Sequence, residues 1–135
     1  MLKAISAEQF AYKLSPGKWS KIEILGHLID SAQNNIRRFI VAQYETVPFI
    51  IYNQDKWVAI SDYQHASSEN LIELWVLLNN HICRILDNTT SEASMQICET
   101  NNHDAHTIAW LAEDYLKHLL HHLHQILELE AVEYP

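Results

Sequence analysis

Glycine and proline are scarce: the 135 residues hold two of the first, Gly17 and Gly26, and three of the second, Pro16, Pro48 and Pro135. A β-sandwich or barrel of this length needs many more turn residues, so the composition excludes those classes and points to helices. Basic charge is also short. Nine Lys+Arg stand against 17 Asp+Glu, a formal net charge of -8. Neutralising phosphates requires the opposite balance, so no nucleic acid is expected as a partner. No apolar run approaches a membrane span, and MLKAISAEQF lacks the apolar core of a signal peptide, so no membrane partner is expected either. The two cysteines, Cys83 and Cys98, form no CxxC spacing and sit in no nucleophile motif. They fit a reduced cytoplasmic setting, as ordinary packing residues.

What is present is apolar and periodic. Hydrophobic residues make up 48% and charged residues 19%, enough to build a core without disulfide staples and too apolar for a disordered tail. The length suits one domain over residues 1–135. Ser6 with Gln9, and Ser20 with Glu23, are candidate capping boxes on either side of the helix-breaking Pro16-Gly17. From Ser20, the residues Ile22, Leu25, Ile29, Ala32, Ile36, Phe39 and Ile40 recur at helical spacing to about Gln43. Residues 44–66 read as a long crossover with one short helix around Trp57. Ser67 or Ser68 caps a helix whose apolar side is Leu71, Leu74, Trp75, Leu78, Ile82, Ile85 and Leu86, ending near Asp87. A polar connection leads to a last helix from about Thr107 to Glu130. The expected fold is all-α, a four-helix bundle of three long helices plus the N-terminal segment, with a long crossover connection.

Nine histidines are the unusual count. Four fall in DYLKHLLHHLHQI. The apolar stripe of that helix is set by Ile108, Leu111, Ala112, Tyr115, Leu119 and Ile126, and His118 and His122 lie inside it. His121 falls on the flank and His124 nearly opposite, so both are expected to meet solvent. Two imidazoles at i and i+4 share a face and can converge on one ion. A catalytic metal centre normally has three protein ligands, and His27 is the natural third. It follows Gly26, whose small size would let a neighbouring helix approach. Yet His27 lies opposite its helix's apolar stripe, with Ser31, Asn34 and Arg38. That polar strip is either a solvated face or the wall of a cleft, and periodicity does not choose.

PGKWSKIEILGHLIDSAQNN, then YNQDKWV, then the terminal DYLKHLLHHLHQI together resemble the DinB/YfiT-like family of metalloenzymes, from about Leu14 to Leu127. The resemblance implies a four-helix bundle with a divalent metal on one histidine of an HL motif and two of an HxxxH, which match His27, His118 and His122. It also implies that the polar strip lines a cleft. His121 stays outside the ligand set, as do His65, His81, His103 and His106.

Three neutral imidazoles leave an ion its full charge and open positions, with zinc or nickel the first expectation and manganese or iron next. Such a centre can acidify water or a thiol. The resemblance therefore implies a metal-dependent transferase using a low-molecular-weight thiol, or a hydrolase, acting on a small-molecule substrate. The alternative is a non-catalytic metal- or ligand-binding dimeric bundle in stress response, and a homodimer is expected on either reading. Asp114, one turn before His118, and Asp30, three residues after His27, are candidates to orient the ligands. Asn34, Tyr115, Asp55 and Trp57 are pocket candidates, with Trp19 and Trp57 expected to be buried packing residues.

Overall fold

A computed structural model describes residues 1–135. Five helices, α1 (Ala7–Ala11), α2 (Lys21–Val41), α3 (Gln54–Ser61), α4 (Ser68–Asp87) and α5 (Ile108–Leu127), carry the fold. Local chemistry sets their starts. Ser6 with Gln9, and Ser20 with Glu23, form complete capping boxes, while Ser67 and Thr107 cap α4 and α5 through their side-chain oxygens. The last helix stops at Leu127, three residues before the expected Glu130, because Glu128 takes the left-handed conformation at φ 55.

Helix α2 is the axis of the molecule, packed against α3, α4 and α5. One core cluster gathers Leu25, Leu28 and Ile29 of α2 with Phe10, Val58, Leu71, Ile72 and Ile126. A second gathers Ala32 and Phe39 with Ile50, Ile82, Cys98, Ile108, Leu111 and Tyr115. Leu78 of α4 packs against both. The N-terminal segment packs on α2 through the five-residue α1, and the crossover adds the eight-residue α3 against the same helix.

The polar connection before α5 is more ordered than its composition suggests. Ile97–Glu99 (β1) and Ala105–Thr107 (β2) pair antiparallel, with Cys98 opposite His106. Glu99 also bridges Phe49, tying this hairpin to the crossover. Cys98 is fully buried as expected, but Cys83 lies exposed on α4. Trp57 is likewise no core residue: it is 37% exposed and stands edge-on to Tyr52, while its neighbour Val58 enters the core. No helix is long and apolar enough to cross a membrane.

Candidate metal centre

The Ser20 capping box starts α2 so that Leu25 and Ile29 face the α4 side. The opposite polar strip does not reach solvent. His27 is 1% exposed, and Ser31, Asn34, Asn35 and Arg38 are buried with it. That strip meets α5, which brings His118 and His122 over His27. The three rings form a near-equilateral triangle, with centroids 4.9 Å apart for His27–His118 and His27–His122 and 4.6 Å for His118–His122. Their ligand nitrogens all lie within 4.8 Å of one another. His27 Nε2 and His118 Nε2 are 3.0 Å apart. Two nitrogens bound to one zinc at ~2.0–2.1 Å cannot be more than about 4.2 Å apart, so this pair fits a shared ion.

The electrostatics fit as well. Burial, then the charge of His122, pushes the His27 pKa down to about 4. Burial, then the charges of His27, His122 and His121, pushes that of His118 down to about 3. Burial lowers His122 too. All three rings are therefore neutral at pH 7 and hold free lone pairs, as a metal ligand requires. In a chain with this many acids, no carboxylate hydrogen-bonds any of the three.

The groups that orient these rings differ from those expected. Asp114 does not touch His118; its Oδ2 accepts from Tyr134 Oη at 2.8 Å. Ser31 Oγ lies 3.5 Å from His118 Nδ1 instead. His122 Nδ1 donates to Gln125 Oε1 at 2.8 Å, which leaves its Nε2 as the lone-pair nitrogen. Gln125 is itself held, because its Nε2 donates to His121 Nε2 at 3.3 Å while His121 Nδ1 donates to Val132 O at 2.6 Å. His121 is thus no solvated bystander but the anchor of the residue that aims His122. His124 is also half-buried and donates to Glu130 O at 2.7 Å, since residues after α5 fold back along it.

Asp30 makes no hydrogen bond to His27. Its Oδ1 accepts from Tyr63 Oη, while its Oδ2 and His27 Nδ1 are both buried without a partner. Gly26 explains why Tyr63 can reach Asp30: a Cβ there would stand 2.1 Å from the Tyr63 ring. The close neighbour is thus an aromatic ring, not the backbone of a helix. Trp19 packs its ring 5.0 Å from His27.

His118 and His122 open onto a cavity of about 590 Å³. Tyr115 lines it as expected, and so does Asp114. Asn34 does not; it donates to Asp30 O at 2.9 Å from within α2. Asp55 and Trp57 are exposed on α3, away from the cavity wall. Arg38 lines it too, as the cleft reading of the polar strip implies, and among the contributors not anticipated are Tyr52, His106 and Tyr134. These three come from segments without helical periodicity, which left no signal to find them. His106 stands outside the three-histidine cluster, and its ring stacks on Trp110 with centroids 3.5 Å apart.

Comparison with known proteins agrees with this architecture. No curated protein matches the chain. Among solved structures, YfiT from Bacillus subtilis, described as a probable metal-dependent hydrolase with an unusual four-helix bundle topology, matches with a TM-score of 0.85 at 22% sequence identity. The match covers 93% of this chain and 73% of that one, and at such identity it speaks to the fold. The sequence profile of the DinB superfamily matches residues 1–126, a span that includes all three clustered histidines, and the chain belongs to that superfamily.

Proposed function

We propose that this chain is a metal-dependent enzyme, a hydrolase of a small substrate, with one divalent ion held by His27, His118 and His122. The observation that carries this reading is the meeting of three neutral imidazoles from two helices, two of which, His118 and His122, line a cavity. Held there, a divalent ion supplies Lewis acidity and lowers the pKa of a water or thiol that joins it. The protein's own part is to fix the ligands. Gln125 sets the His122 tautomer, Ser31 neighbours His118, and burial under Trp19 keeps His27 from solvent. The structure of YfiT, described as a probable metal-dependent hydrolase, supports the choice of reaction.

Thiol-dependent transfer is the second reading. A cavity of about 590 Å³ has room for two small reactants rather than one. Zinc and nickel suit three imidazoles best, with iron and manganese as further candidates.

The test is metal analysis of protein purified without a histidine tag, followed by assays against esters and amides and against thiols paired with electrophiles. Turnover lost on chelation and restored by one of these ions is the expected result. Bound metal with no turnover in either panel would favour the non-catalytic binding protein. Substoichiometric metal, unchanged by His118→Ala, would remove the metal centre altogether.

A further inference from the structure

Arg38 stands three turns beyond His27 on α2, about 16 Å along the axis at the usual rise. It is 9% exposed and lines the same cavity as His118 and His122. Its Nε and Nη2 both donate to a single acceptor, Ile50 O, at 3.1 and 3.0 Å. Nη1 donates to no protein group, and the ion pairs of the molecule all involve other residues. A guanidinium keeps its charge in proteins, and here the charge of Asp114 acts on it without an ion pair or hydrogen bond between the two, so its desolvation is only partly offset.

The sequence had ample means to neutralise it. Seventeen carboxylates are present, and two of them, Asp104 and Asp114, line this cavity. Asp114 takes its hydrogen bond from Tyr134 and acts on Arg38 only through its charge. Tyr52 covers one side of the guanidinium, with its ring 5.9 Å from Cζ. The open donors of Arg38 are left facing the cavity.

Building on the metal-dependent reading above, we propose that Arg38 binds a carboxylate of the substrate. The substrate class is then a small organic monoacid that spans the cavity, with its reacting group at the three histidines and its carboxylate on the guanidinium. The fork of a guanidinium matches a carboxylate. A single cation with two aspartates on the same wall disfavours a phosphate dianion, whose second charge would find no partner. The separation of about 16 Å along α2, less the reach of the two side chains, leaves on the order of 10 Å between the two ends of the substrate.

The test is calorimetric titration of the zinc-loaded protein with hydroxamates carrying an alkyl chain of graded length that ends in a carboxylate, a carboxamide or a phosphonate. Acetohydroxamate, too short to reach Arg38, reports on the ion alone. The carboxylate series is expected to bind about tenfold tighter than the carboxamide series at an optimal length. That preference should vanish in Arg38→Gln and persist in part in Arg38→Lys. Equal affinities of acid and amide in the wild-type protein, or tighter binding of the phosphonate, would overturn the proposal. If the protein takes up no zinc, or acetohydroxamate does not bind, the metal reading fails. Arg38 is then judged on metal-free protein, where hexanoate should shift the Arg38 Nε–H resonance and hexanamide should not; no shift with hexanoate overturns the assignment.

Discussion

His27 Nε2 and His118 Nε2 face each other across 3.0 Å although 91 residues separate them in the chain. Neither nitrogen has a carboxylate to pair with, so an ion is the partner this geometry suits. His118→Ala and His122→Ala should each weaken zinc binding by more than about 100-fold, read by competition with a chromogenic chelator. His124→Ala should leave affinity unchanged, since its Nδ1 is committed to Glu130 O. Equal losses in all three variants would contradict the assignment.

Gln125 sets which nitrogen of His122 carries the lone pair, through a 2.8 Å hydrogen bond at Nδ1. Gln125→Ala should therefore lower zinc affinity about 10-fold, the usual range for groups that orient a ligand. Asp114→Asn should not, because Asp114 bonds Tyr134 rather than a ligand. A larger loss for Asp114→Asn than for Gln125→Ala would reverse the roles given to these two residues.

Acid should destabilise the metal-free protein. His27 and His118 are held down to about 4 and about 3 from an ordinary 6.5. As pH falls below 6.5, the unfolded chain takes up protons that the folded one refuses, so stability is lost down to those folded values. Asp30 has the opposite sign. Burial raises its pKa from 3.8 to about 6, and its contribution grows as pH falls through that window. Two histidines outweigh one carboxyl, so Tm should drop on acidification from neutral pH, and more steeply in Asp30→Asn. Differential scanning calorimetry across this range gives the answer; a Tm that rises toward acid would show that the rings are not buried neutral.

Gly26→Ala should destabilise the fold despite alanine's better helix propensity. The gain in propensity is ~1 kcal/mol. Against it, the new Cβ would stand 2.1 Å from a ring atom of Tyr63, and overpacking of this kind costs about 1–3 kcal/mol. A ring tied to Asp30 cannot swing away without breaking that hydrogen bond. Urea unfolding of the variant checks the sign, and Tyr63→Phe in the same background should not rescue it, because the ring itself is the obstacle.

Much of this architecture could be read along the chain. Caps at Ser6, Ser20, Ser67 and Thr107 are contacts between residues three apart, so they are visible in the sequence itself. The pairing of His118 with His122 is local in the same way, one turn along a single helix. The hairpin of Ile97–Glu99 and Ala105–Thr107 was missed because three-residue strands are too short to show alternation.

The polar strip of α2 marks where local reading stops. Helical spacing places His27, Ser31 and Arg38 on one face, but spacing says nothing of what stands opposite that face. In the folded chain it meets α5, and the residues beyond α5 return along it. That packing gives His27 its partners, pairs Asp114 with Tyr134 rather than His118, and leaves Arg38 buried without an ion pair. Periodicity is a property of one helix, whereas a site is made by two, and the contacts between them depend on how far and at what angle they approach.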